Sequence, residues 1–174
     1  MDGNRLWRFH IPKPDWLNSQ YMRTAGVYAA GGLFSLGFFF FLDAAVFSKT
    51  ANASNIHIKF VDWIPIICSA FGMLVINSIE KSQLTSEAFS PSRWDGGTAW
   101  KARLVLFLGF ALMAGGLAGS VTVLTLKYLV PKYPFPTMYL GVANVISNSL
   151  IMLSSAVLWV SQNIEDDFQY NLSL

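Results

Sequence analysis

The sequence predicts an all-α polytopic membrane protein, a bundle of four transmembrane helices with both termini in the cytosol. Three observations carry this expectation. The 174 residues are 53% hydrophobic and only 13% charged, too apolar for an ordinary soluble domain. The apolar residues are gathered into four blocks, Thr24–Phe47, Val61–Ile79, Leu104–Leu126 and Thr137–Val160, each 19 to 24 residues long. At ~1.5 Å rise per residue, each block reaches across a hydrocarbon layer of ~30 Å. Four buried helices of a soluble core would need amphipathic partner segments, and the chain has none. The third observation is the distribution of basic residues at the flanks of the blocks. The N-terminal segment holds Arg5, Arg8, Lys13 and Arg23, and the second loop holds Lys81, Arg93, Lys101 and Arg103. The other side holds only Lys49, Lys59, Lys127 and Lys132, a bias of eight against four. Cytosolic flanks carry the excess of Lys and Arg.

Taken in chain order, residues 1–23 form a cytosolic or interfacial segment in which Trp7, Phe9, Trp16 and Tyr21 mix with basic residues. It lacks the short apolar stretch of a cleavable signal, so the first span is expected to serve as an uncleaved anchor. That span contains one charged side chain, Asp43, set in the run Gly37-Phe-Phe-Phe-Phe-Leu-Asp-Ala-Ala-Val-Phe47. A carboxylate at the centre of a span costs roughly 2.5–3.5 kcal/mol on insertion scales and less near its end, so Asp43 needs a partner or a use. At ~100° per residue, Asp43 shares a stripe with Ala25, Ala29 and Gly32, which the helical period predicts to be a packing face. By depth, its expected hydrogen-bond partner is Thr122 or Asn144.

The first loop, Ser48–Phe60, carries His57 and the sequon Asn52-Ala-Ser54, which makes Asn52 a candidate glycosylation site if this side is lumenal. An acidic lumen would titrate Asp43 or His57, so both are candidate pH sensors. The second span contains Asn77 and the sole cysteine, Cys68, so no intramolecular disulfide can form. The second loop, Glu80–Arg103, reads as flexible turns at Ser-Pro-Ser and Asp-Gly-Gly. The third span spaces Ala111, Gly115 and Gly119 four apart, a small-residue ridge with Gly116 and Ser120 beside it. Burial from water does not drive helix association in lipid, so close approach at small residues matters there. The fourth span, 24–160 being one membrane domain, adds a polar stripe of Gly141, Asn144, Asn148 and Ser155. Residues 161–174 form a cytosolic tail containing Glu165-Asp-Asp167.

Several function classes receive no support. There is no paired intramembrane Asp, no His with Ser or Cys on facing spans, no metal-ligand cluster and no phosphate-binding loop. His10 and His57 fall on opposite sides of the membrane. The sequence thus supplies no candidate catalytic, cofactor-binding or metal-ligating residue. The net charge of +2 belongs to membrane flanks and not to a nucleic-acid-binding face. Two classes remain: a subunit that binds other membrane components, and a small ion- or lipid-conducting channel, or an auxiliary channel subunit, with Asp43 and the fourth-span asparagines lining a path.

Ordered similarities narrow the choice. Phe41-Leu-Asp-Ala-Ala-Val-Phe47, Asp62-Trp-Ile-Pro65, Val75-Ile-Asn-Ser-Ile-Glu-Lys81 and Leu106-Phe-Leu-Gly-Phe-Ala-Leu-Met-Ala-Gly-Gly116 resemble the transmembrane protein 50 family. Asn52-Ala-Ser-Asn-Ile-His57 and Gln162-Asn-Ile-Glu-Asp-Asp167 resemble its fungal branch. Asp43, Asn77 and Asn148 match the family pattern, whereas Asn144 and Ser147 depart from that of the animal members. The resemblance implies a non-enzymatic trafficking protein of endosome and vacuole membranes, reached through the endoplasmic reticulum and Golgi. It also implies a late-endosomal hetero-complex with another small four-span protein, similar to the leptin-receptor-overlapping-transcript family, and a link to ESCRT-III and intralumenal vesicle formation. Membrane lipid is the other expected partner, met by the basic cytosolic flanks.

Overall fold

A computed structural model describes residues 20–52, 55–79 and 96–163. The described residues form four helices that are long and apolar enough to cross a membrane. Helix α1 runs Gln20–Thr50 and α2 runs Phe60–Asn77. Helix α3 runs Gly96–Val123 and continues through a π-helical stretch, Leu124–Leu129. Helix α4 runs Thr137–Asn163. The fold is all-helical, as the sequence predicts.

Helix ends differ from the expected spans for identifiable reasons. Hydropathy marks where side chains become polar, but the backbone ladder continues past that point, since polar side chains do not break a helix. The 31 residues of α1 extend ~46 Å at the α-helical rise, longer than a hydrocarbon layer. Gly96 and Gly97, expected in a turn, instead start α3. The expectations for residues 1–19, 80–95 and 164–174 fall outside the described residues.

Helix α4 is the hub. It packs along α1 and also touches α2, α3 and the π-helical stretch, while α2 packs along α3. One core cluster joins α1 to α4 and the π-helical stretch through Ala44, Tyr128, Leu140 and Ala143. A second joins α1, α2 and α4 through Phe41, Ile66 and Ile151, with the Trp63 ring edge-on to Phe41 at 4.9 Å.

The packing ridges lie beside those expected from the sequence. On α3 the buried positions are Ala102, Gly109, Met113, Gly116 and Ser120, while Ala111 and Gly115 face outward and Gly119 is half-buried. A Cβ on Gly116 would lie 2.6 Å from the Pro65 carbonyl oxygen of α2, so only glycine permits this approach. On α1 the buried positions are Ala30, Gly37, Phe41, Ala44 and Ser48. Ala25, Ala29, Gly32 and Asp43 do share one stripe, but it is exposed and not the buried face, Asp43 lying about two residues and so ~200° round from Phe41. Ala25 and Ala29 border a groove against Ala156, Val157 and Val160 of α4. Small-residue spacing marks surfaces capable of close approach. It does not say which of two such surfaces the chain itself uses, and Phe41 decides the matter by needing a pocket of its own.

Candidate functional site

The polar residues converge at the end of the bundle where α1 and α3 finish and α2 and α4 begin. Asp62 lies in the first turn of α2 and is 3% exposed. Its Oδ2 accepts the backbone N–H of Lys59 at 2.7 Å, the favourable place for a carboxylate at a helix N-terminus. The same oxygen receives Nζ of Lys127 from the π-helical stretch in an ion pair. Lys127 also donates to the His57 carbonyl at 3.0 Å. A buried carboxylate is tolerated in such surroundings because it is both paired and hydrogen-bonded.

From this ion pair a chain of hydrogen bonds descends into the bundle along α4. Asn144 Nδ2 donates to the Asp62 carbonyl at 3.0 Å. One turn further, Asn148 Nδ2 donates to both oxygens of Asn144, at 2.8 and 2.9 Å. Asn148 Oδ1 accepts from Ser69 Oγ of α2 at 2.6 Å. Deeper still, Ser154 Oγ donates to the Ala30 carbonyl of α1 at 2.7 Å. Asn77 Nδ2 reaches Ser155 Oγ at 3.2 Å as well as the Met73 carbonyl at 2.9 Å. Asn144, Asn148, Ser154 and Ser155 are all buried. Each sends its hydrogen bond to a neighbouring helix, or accepts one from it, so the fourth-span stripe acts as a seam. Among the described residues, Ser147 Oγ and Asn77 Oδ1 are buried without a hydrogen-bond partner.

The structure separates the other expected site residues from this seam. Asp43 is exposed, and neither Thr122 nor Asn144 is its partner. Thr122 is exposed and bonds back to its own helix at the Ala118 carbonyl, 2.8 Å away, and Asn144 is engaged with Asp62. The donor to Asp43 is Tyr139, whose hydroxyl lies 3.1 Å from Oδ2. The Tyr139 ring sits edge-on to Phe40 and Phe47, at 6.0 and 6.1 Å. Depth alone pointed to the wrong group, because the outward rotation of Asp43 leaves only the start of α4 within reach.

The first loop is tied to the helix ends. His57 Nδ1 is 2.6 Å from the Ser48 carbonyl; a carbonyl only accepts, so this nitrogen carries the proton. Ile58 N–H donates to Ser48 Oγ at 2.8 Å. Asn52 donates to the Ile56 carbonyl at 2.9 Å and accepts from Thr137 Oγ1 at 3.2 Å. Its side-chain amide is therefore engaged in the folded loop, while the rest of the sequon, Ala53 and Ser54, falls outside the described residues.

The Asp62–Lys127 pair was missed in the sequence because both residues lie at span ends and read as ordinary flanking charges. A signal was present. Asp62, Ser69 and Ile76 recur every seven residues on the buried face of α2, and Met113, Ser120 and Lys127 do so along α3. Both charges are thus in register with the packing ridges of their own helices.

Asn148→Leu removes the acceptor of Ser69 and the donor to Asn144 while keeping the branched side-chain shape and lipid compatibility. Interhelical hydrogen bonds in membranes average ~0.6 kcal/mol and reach ~1.7. With two neighbours left unpaired, a loss of about 1–2 kcal/mol is expected, read as a lower thermal midpoint of the detergent-purified protein. Ser149→Leu, at an exposed hydroxyl bonded only to the Val145 carbonyl, should leave that midpoint unchanged.

Among the described residues there is no group of three His, Cys, Asp or Glu side chains placed to hold a metal ion. The arrangement supplies helix-to-helix bonds inside an apolar bundle, and the family comparison agrees with the sequence resemblance. Residues 2–168 match the family described as "Uncharacterised protein family (UPF0220)". The chain belongs to that family. Relatives similar to it include "Vacuolar protein sorting-associated protein 68" of Saccharomyces cerevisiae, 47% identical over 186 residues, covering 99% of this chain and 98% of the relative. "UPF0220 protein C8D2.02c" of Schizosaccharomyces pombe is 48% identical over 152 residues, covering 87% of this chain and 88% of the relative. "Transmembrane protein 50 homolog" of Dictyostelium discoideum is 30% identical over 147 residues, covering 82% of this chain and 91% of the relative. No solved structure matches.

Proposed function

We propose that this chain is a non-enzymatic membrane subunit of an endosomal sorting complex, acting in protein transport from the late endosome to the vacuole and linked to ESCRT-III and intralumenal vesicle formation. The observation that carries the reading is the 47% identity over essentially the whole of both chains to a relative named for vacuolar protein sorting. The geometry is compatible with it. Asn144 and Asn148, which a conducting path would need to present to permeating groups, spend their side chains on Asp62, Ser69 and each other. Both termini face the cytosol on this reading, and the Asp62–Lys127 end of the bundle faces the lumen. The partner is a small four-span protein similar to the leptin-receptor-overlapping-transcript family, joined to the chain within endosome and vacuole membranes after transit through the endoplasmic reticulum and Golgi. The basic flanks meet anionic cytosolic lipid.

The test is replacement of the S. cerevisiae relative by this chain. Cells lacking the relative are expected to regain retention of a soluble vacuolar hydrolase when the chain is expressed. Continued secretion of the hydrolase from cells in which the chain reaches endosomes overturns the proposal. In the same strains, glycosylation tags placed after Asn55 and after Lys132 are expected to be modified, and a tag at the C-terminus is not.

A further inference from the structure

Among the described residues helix α1 has one main neighbour, α4, packed on the Ala30–Phe41–Ser48 face and, towards the end of the helix, on Phe40 and Phe47, which meet the Tyr139 ring. The outward face runs through Gly32, Leu36, Phe39, Asp43 and Val46, all exposed; Leu36 is 58% and Phe39 63% exposed. Gly31 and Gly32 have open space where a Cβ would stand, so another backbone can come close there. The decisive residue is Asp43. Among the described residues it has no ion pair, and its hydrogen bond is the one from Tyr139 to Oδ2. A carboxylate presented outward from a membrane-spanning helix, with one neutral donor and a second oxygen unoccupied, lacks the compensation that intramembrane acids have where they are retained.

We infer that the outward face of α1 is an interaction surface for a transmembrane helix of a different polypeptide, one that carries a Lys or Arg at the depth of Asp43. Charge decides between occupants. A second copy packed through the same face in the same orientation would bring two Asp43 carboxylates together, and like charges in a medium of low dielectric disfavour that pair. Acyl chains cover Leu36 and Phe39 but offer nothing to Asp43. A helix with a basic side chain satisfies the free oxygen, and the open backbone at Gly31 and Gly32 lets it lie close. This assignment rests on the reading of the chain as a complex subunit.

The test is photocrosslinking in native membranes with a photoreactive residue at Leu36 or at Phe39, and at Phe107 as a control on the exposed face of α3. Adducts from positions 36 and 39 are expected to contain one discrete membrane protein, with mass spectrometry placing a Lys or Arg of its span near the site. Asp43→Asn, which keeps the Tyr139 bond, should lower that yield at least fivefold without changing the amount of chain. Asp43→Lys combined with Lys or Arg→Asp in the partner should restore it. Adducts of lipid alone, adducts of a second copy, or a yield indifferent to Asp43→Asn each overturn the surface. Failure of the complex reading is distinguishable: in that case no second membrane protein co-purifies with the wild-type chain. If one co-purifies and crosslinks only elsewhere, the complex stands and this surface falls.

Discussion

Lys127→Leu is expected to cost about 3–5 kcal/mol, because removing one partner of a buried ion pair leaves an uncompensated charge. Asp62 is 3% exposed and would keep only the Lys59 N–H on the oxygen that now accepts both groups. The bundle end would open to let water or protons reach it. The measurement is the fraction of detergent-solubilised protein that stays monodisperse after stepwise heating, with abundance in cells as a second reading. The double change Asp62→Leu with Lys127→Leu is expected to be less damaging than Lys127→Leu alone, since no charge is left buried. It does not return to the native value, because the carboxylate also caps the start of α2, a contribution of about 1 kcal/mol. Lys127→Leu with unaltered thermal behaviour would mean that the pair contributes nothing to holding α2 against α3.

Gly116→Val is the second large effect. The new Cβ would lie 2.1 Å from Ser69 Oγ and 2.6 Å from the Pro65 carbonyl oxygen. Ser69 can rotate away, at the loss of its bond to Asn148, but the Pro65 carbonyl belongs to a helix backbone and moves only if α2 moves. Overpacking of this kind costs typically 1–3 kcal/mol and occasionally more; separation of α2 from α3 puts this site at the upper end. Gly115→Val, one residue away, has nothing within 4 Å to collide with and is expected to stay within about 0.5 kcal/mol of the native protein. Comparing the thermal midpoints of the two purified variants is sufficient. Equal loss at both positions would mean that α3 is rotated from the orientation described above.

These two glycines also show what the sequence could reveal. The four spans, their order and the importance of small residues were legible, because hydropathy and residue size are local properties. The rotation of each helix was not. Gly115 and Gly116 are equally small, and only the opposing surface of Pro65 and Ser69, far off in sequence, selects one of them. The same holds for Asp43. Its stripe with Ala25, Ala29 and Gly32 was read correctly from the helical period, but its direction depended on where Phe41 would find a pocket against Ile66 and Ile151. The fourth-span polar stripe was legible as a stripe because Asn144 and Asn148 lie one turn apart. Its partners were not, because the bonds join residues 79 and 82 positions apart. Asp62 and Lys127 were hidden by their placement at span ends, where a charge ordinarily requires no explanation.

The position of α4 at the centre of the bundle bears on how the protein is made. Helix α1 leaves the ribosome first of the four and α4 last, yet α1 packs chiefly on α4. Throughout synthesis of α2 and α3, then, α1 waits in the bilayer without its principal neighbour, and its carboxylate waits without Tyr139. Insertion and folding are separate events for this chain: the bundle closes only once the final span is released. A chain stopped before residue 137 would leave α1 in the bilayer without the helix it chiefly packs on.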